Sequence, residues 1–266
     1  MARKETYRSK FLRQQEGPLP AISERPKLAP ALQQVYLDGK VLLIDKPLHW
    51  TSFDVVRRLR SLLQIKKIGH AGTLDPLASG LLIVCTGKCT KQINDYMAKE
   101  KTYTGHFVLG AVTPTYDLES EPEKFVSCDH ITEDRLRATA AQFTGNLQQV
   151  PPIYSAIKKK GEALYALARR GESVELEPRP VTIHRFEITH VQLPHVGFLV
   201  SCSTGTYIRS LAHDFGQALG CGAYLGSLRR TAIGELRVED AISLDSFEAS
   251  LREQNEAAKT HNSAQL

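Results

Sequence analysis

The segment Gly69–Gly80, GHAGTLDPLASG, is the strongest local constraint on what this chain can fold into. Three glycines, a histidine, a threonine, an aspartate and a proline fall in one short stretch, just ahead of the apolar run LLIVCTG. Glycine admits positive φ and the close approach of another backbone. Pro76 biases Asp75 toward an extended conformation and brings no N–H of its own. Such a loop fixes a carboxyl group at the end of a buried strand. By composition alone it is equally a plain tight turn in which Asp75 caps the next element. The phosphate-loop patterns GxxxxGK(S/T) and GxGxxG are absent.

The flanking chain alternates strand-like and helix-like segments. VLLIDKP reads as a buried strand ended by Pro47. TSFDVVRRLRSLL carries Phe53, Val56, Leu59 and Leu63 at helical spacing behind a Thr51 or Ser52 cap. In KTYTGHFVLG, Tyr103, Gly105, Phe107 and Leu109 alternate with their neighbours at the strand period. ITEDRLRATAAQF reads as a helix on Leu136, Ala140 and Phe143, and YIRSLAHDFGQALG as one on Ile208, Leu211, Ala212, Phe215 and Leu219. PPIYSAIKKKGEALYALARRG runs from extended prolines into a helix that Gly171 stops, and PVTIHRFEITHVQL and GFLVSCS read as paired strands. The strands keep no β-α-β rhythm. The expected class is mixed α/β (α+β), with a meandering mixed sheet flanked by helices rather than a Rossmann sheet.

Charge says less than its total suggests. Residues 1–36 hold seven basic and three acidic side chains, so they carry +4 of the +5 formal charge. They read as a flexible basic extension. Elsewhere the cations cluster locally: Arg57, Arg58 and Arg60; Lys66 and Lys67; Lys158, Lys159 and Lys160; Arg169 and Arg170; Arg229 and Arg230. No apolar run approaches a membrane span, and no secretory signal pattern is visible. The five cysteines are scattered, and Cys85 and Cys89 have no second pair at zinc spacing. They read as small buried thiols of a reducing, cytoplasmic protein without a metal.

GHAGTLDPLASGLL resembles the active-site signature of the TruB-type tRNA pseudouridine synthases. GKVLLIDKPLHWTSFDVVRRLR upstream, and KTYTGHFVLG, PPIYSAIKKKGEALYALARRG, RPVTIHRFEI, STGTYIRSLAHDFGQALG and YLGSLRRTAIG downstream, resemble that family's other blocks in the family's order, over about residues 37–245. The resemblance implies a pseudouridine-synthase fold with a central, largely antiparallel sheet. It implies a catalytic domain over 37–245, an extension over 1–36 and a short C-terminal tail over 246–266 in place of the RNA-binding domain that many bacterial members carry. It further implies a monomeric isomerase without a cofactor, acting on the T-arm uridine at tRNA position 55. The enzyme breaks C1′–N1, turns the base and rejoins it through C5.

By the same resemblance Asp75 is the nucleophile, on either the ribose or the base, Tyr103 stacks on the uracil, and Arg209 pairs with the catalytic carboxylate. His70 enters the RNA, Tyr207 contacts substrate and Leu228 lines the pocket. Lys46 and Lys67 are expected near the RNA. Trp50, in LHW after DKP, departs from the small residue expected there. Read without the resemblance, Tyr103, Tyr207 and Leu228 are ordinary core residues and Arg209 a helix-surface cation. Competing classes are a tRNA-binding chaperone that kept the fold, a glycosidase, which needs a second acid near Asp75, and a guide-RNA-dependent relative.

Overall fold

The structure is a computed structural model that describes residues 27–155, 158–159, 162–163, 170 and 176–263. The expectations for residues 1–26 and for the helix ending at Gly171 lie outside the described residues. In chain order the elements are α1 (Pro30–Asp38), β1 (Val41–Lys46), α2 (Ser52–Leu63), β2 (Ile68–Ala71), β3 (Ala78–Thr86), α3 (Ile93–Ala98), β4 (Lys101–Leu109), α4 (Glu133–Gln142), β5 (Gly145–Gln149), β6 (Lys158–Lys159) and β7 (Glu162–Ala163). They continue with β8 (Arg179–Gln192), β9 (His195–Cys202), α5 (Ile208–Leu219), β10 (Ala223–Ile233), β11 (Leu236–Arg237) and α6 (Leu244–Ser263). The chain divides into two compact units: Met1–Lys99 with Arg229–Leu266, and Glu100–Leu228.

In the first unit β3 runs antiparallel to β1, from Val41↔Cys85 to Lys46↔Gly80, and to β2, from Ile68↔Thr86 to Ala71↔Ile83. Its apolar run is uninterrupted because both faces are covered. Leu82 and Val84 join Ile44, Val55, Leu59 and Phe247 on one side. Leu81, Ile83 and Cys85 join Ala71, Ile233 and Val238 on the other. A capping box starts α2: Thr51 Oγ1 accepts from Asp54 N at 3.0 Å, and Asp54 Oδ2 accepts from Thr51 N at 2.9 Å. Phe53 was expected on the buried stripe but is 58% exposed. The stripe runs instead through Ser52, Val55, Val56, Leu59 and Leu63, so Ser52 holds the place one turn before Val56.

Both segments expected to be appendages contribute to this core. Tyr36 of α1 packs edge-on against Phe247 of α6, centroids 6.4 Å apart. Leu244, Phe247 and Leu251 are buried, and Asn255 Oδ1 accepts from Ala29 N at 2.6 Å. The chain from about residue 251 was expected to be a frayed helix or a tail; residues 244–263 form a helix whose Leu244, Phe247 and Leu251 are buried.

In the second unit the strand order is β10-β4-β9-β8-β5, and the pairs β4–β9, β8–β9 and β5–β8 are antiparallel. Strand β10 contributes Ala223–Leu228 to this unit and Arg229–Ile233 to the first. Phe107 stacks on Phe198 at 4.3 Å and meets Phe186 and Phe215 at 6.1 and 5.6 Å. The expected α5 stripe is wholly buried, and Gly220 at φ 81° ends the helix. β10 lies so close to β4 that a Cβ at Gly105 would stand 2.1 Å from Ser227 O. Both units are helix-flanked sheets, mainly antiparallel, with parallel bridges at Ile44↔Ile242 and Asp117↔Leu225, which is the expected class. Leu251→Ala should lower unfolding free energy by about 2–5 kcal/mol in urea titrations; a tail residue would change it by less than about 0.5 kcal/mol.

Candidate active site

The Gly69–Gly80 segment is pinned at the backbone of Gly72, Leu74, Asp75, Pro76 and Ala78. Ser52 Oγ, buried, accepts from Leu74 N at 2.8 Å and donates to Leu74 O at 3.2 Å. His49 N donates to Pro76 O at 2.7 Å, and Ala78 N to Asp75 O at 3.1 Å. Arg230 reaches across the segment: Nε donates to Leu81 O at 2.8 Å and Nη2 to Gly72 O at 3.2 Å. Gly80, at φ 104°, lies directly on this strand; a Cβ there would meet Arg230 O at 2.3 Å. Asp75 is half-buried on the loop so held.

The charges around the loop are interleaved. Lys46 is fully buried, and its ammonium donates to Pro47 O at 2.8 Å and Trp50 O at 2.7 Å. Burial lowers its pKa to about 8, while the charge of Asp75 acts in the opposite direction. Lys46 therefore braces the turn beside Asp75 and does not present its charge at a surface, as an RNA contact would require. His70 sits on β2, half-buried, and its buried Nδ1 has no hydrogen-bond partner. Burial and the Arg230 charge lower its pKa, so the imidazole is neutral at pH 7. Lys67 is exposed.

Three cations of the basic clusters are not free surface charge. Arg230 is 1% exposed, and Arg229 grips Asp45 with two hydrogen bonds of 3.0 and 2.7 Å. Arg58 pairs with Glu248. Lys160 and Arg169 lie outside the described residues.

The other expected site residues belong to the second unit. Tyr103 and Leu228 are buried on β4 and β10. Tyr207 precedes α5, its backbone held both ways by Gln149: Nε2 donates to Tyr207 O at 3.1 Å and Oε1 accepts from Tyr207 N at 2.8 Å. This side chain caps α5 where the sequence offers no capping residue. Arg209 is buried and not on a helix surface. It donates to Tyr154 O at 3.1 Å and Thr115 O at 3.4 Å, and its Nε stands 3.8 Å from Asp117 Oδ2. Asp117 was missed in the sequence, because its surroundings, TPTYDLES, carry only turn signals. Ser52 was weighed only as a cap.

A carboxyl group on a rigid, glycine-flanked loop suits nucleophilic chemistry, since it forms and releases a covalent adduct. Among the described residues no group of three or more His, Cys, Asp or Glu is placed to hold a metal ion, and no helix is long and apolar enough to cross a membrane.

The sequence profile of the TruB family pseudouridylate synthase N-terminal domain matches residues 60–208, and that of the tRNA pseudouridylate synthase B C-terminal domain matches residues 209–264. The chain belongs to the TruB family of pseudouridylate synthases. Pseudouridine synthases are isomerases, and the chain is an enzyme of that class. It is 54% identical over 82% of its length to the tRNA pseudouridine synthase B of Flavobacterium johnsoniae, spanning 98% of that protein. It is 46% identical to that of Phocaeicola vulgatus, with 80% and 93% of the two chains covered. Among solved structures it resembles a chain of a Cbf5-Nop10-Gar1 complex, at TM-score 0.63 and 28% identity. That match covers 86% of this chain and spans 57% of the solved one. A second solved chain, at TM-score 0.62 and 27% identity, comes from an H/ACA RNP bound to a substrate RNA containing 2′-deoxyuridine, with 86% and 56% of the two chains covered.

Ser52→Ala should cost about 1–3 kcal/mol, because it leaves the buried Leu74 N–H without its acceptor; urea titration measures it. Lys46 titrates at about 8 in the folded chain, against the ordinary lysine value of 10.5. The folded state therefore sheds this proton first, and the stabilisation that follows is absent below pH 8 and accrues toward pH 10.5. The unfolding free energy of wild type minus that of Lys46→Met should thus rise between pH 8 and 10, as read by denaturant titration across that range.

Proposed function

We propose that the chain converts the uridine at position 55 of the tRNA T loop into pseudouridine, with Asp75 as nucleophile. The observation that carries the reading is the pinned Asp75 loop, with a buried ammonium beside it, in a chain that spans 98% of a tRNA pseudouridine synthase B. The reaction is an isomerisation. The C1′–N1 bond breaks, the uracil turns and a C5–C1′ bond forms; the proton leaves C5 and N1 ends protonated, so no oxidant or second substrate is consumed. Attack by Asp75 on ribose C1′ or on the uracil ring both fit a carboxylate that is later released.

The uridine must first leave its stack. In this reading Tyr103 supplies a ring that lies flat on the base, and His70, neutral and flat, stacks within the RNA. Arg209 contributes a permanent cation to the reaction, Tyr207 a substrate contact and Leu228 an apolar wall. Lys66 and Lys67, both exposed, bind phosphate with a salt-dependent affinity. All five thiols are unpaired, which fits a cytoplasmic enzyme.

Purified protein incubated with unmodified tRNA, followed by position-resolved pseudouridine mapping, tests the reading. Asp75→Asn should lower conversion by at least about a thousandfold while leaving tRNA binding within about threefold. Wild-type conversion by the variant, modification at another position, or release of free uracil would each overturn it.

A further inference from the structure

Tyr116 is a non-glycine residue in the left-handed region, at φ 63°. Holding a side chain there costs on the order of 1 kcal/mol or more, so something in the fold must offset it. Its ring lies flat on the imidazole of His213, with centroids 4.1 Å apart and planes within 17°. Tyr116 N donates to Thr113 O at 3.1 Å, and its carbonyl accepts from Leu225 N at 2.9 Å. The turn is therefore fixed by backbone on one side and by a ring stack on the other.

The next residue is Asp117. Its carbonyl accepts from the hydroxyls of Thr113 and Thr115 at 2.8 and 3.2 Å, and its Oδ1 accepts from Glu119 N at 2.9 Å. Its Oδ2 stands 3.8 Å from Arg209 Nε. Arg209 and His213 are one turn apart on α5, so one helical face carries both the guanidinium and the stacking ring. His213 Nδ1 is buried without a hydrogen-bond partner. Burial, with the nearby Lys124 charge, lowers the His213 pKa, so a neutral ring faces the phenol.

We infer that Tyr116 and His213 are a positioning pair: their stack holds the left-handed turn and thereby sets Asp117 against Arg209. Neither ring is asked to touch substrate; both act through Asp117. The inference rests on the reading of Arg209 as part of the reaction.

The test uses the full chain, a T-arm stem-loop, single-turnover conversion and RNA affinity. Glycine populates positive and negative φ about equally, so Tyr116→Gly removes the ring that holds the turn without adding a backbone strain of its own. Tyr116→Gly and His213→Ala should each slow conversion about tenfold with RNA affinity within about twofold. Tyr116→Phe and His213→Phe, which keep flat rings, should stay within about twofold of wild type. Because the two rings act as one unit, the double variant Tyr116→Gly/His213→Ala should lose about tenfold, not about a hundredfold. Full rate in both single variants with Arg209→Ala inactive would overturn the inference alone. So would losses that multiply, or equal losses in the phenylalanine variants. Full rate in Arg209→Ala and Asp117→Asn would overturn the reading of Arg209, and this inference with it.

Discussion

The first unit depends on one buried guanidinium. Arg230 is a permanent cation with almost no access to water, and burying such a charge is costly unless its donors are satisfied. Its Nε and Nη2 go to the carbonyls of Leu81, in β3, and Gly72, on either side of the loop that carries Asp75. The cost of desolvation is thus turned into geometry, since moving the loop would strand the charge. Burial lowers the pKa of His70 and Lys46 and the same cation adds to it, while Asp75, Asp54 and Asp45 act the other way on Lys46. A local set of cations and carboxylates holds the backbone here, and burial, modulated by those charges, shifts the protonation of Lys46 and His70.

Much of this architecture could be read from the sequence. The run LLIVC, buried on both faces, and the α5 stripe from Ile208 to Leu219 have patterns that only one environment explains. The Asp75 loop stood out because glycine and proline act through local sterics, which are visible without the fold. What escaped depends on partners far along the chain. Arg229 and Arg230 look like a solvated pair, yet strand alternation sends them to opposite faces, one to Asp45 and one to backbone carbonyls. Helix α6 was hidden by its polar composition, since burial at Leu244, Phe247 and Leu251 needs only one stripe. Asp117 and the Tyr116 turn were hidden for a different reason, because no rule of spacing foretells that a turn will lie beside an arginine on a later helix.

The second unit solves a related problem with weaker forces. Arg209 is also buried, but its surroundings mix two carbonyls, a carboxylate at 3.8 Å and a turn held by hydroxyls and a ring stack. Gln149 closes the start of α5 at Tyr207 in the same manner, with one amide serving both a donor and an acceptor of the backbone. In each case a polar group removed from water is matched by backbone, and the matched backbone belongs to a segment that carries a proposed site residue.

The clamp on the Asp75 loop also orders events in time. Leu81 and Arg230 are 149 residues apart in the chain. The first unit is interrupted by the whole of the second and is finished only by the segment from Arg229 onward. During synthesis, at about 5–20 residues per second, the loop leaves the ribosome long before the arginine that secures it. Every nascent chain shorter than that carries the carboxylate on an unclamped loop. Locking of the reactive segment therefore waits for the synthesis of Arg230, 149 residues after Leu81.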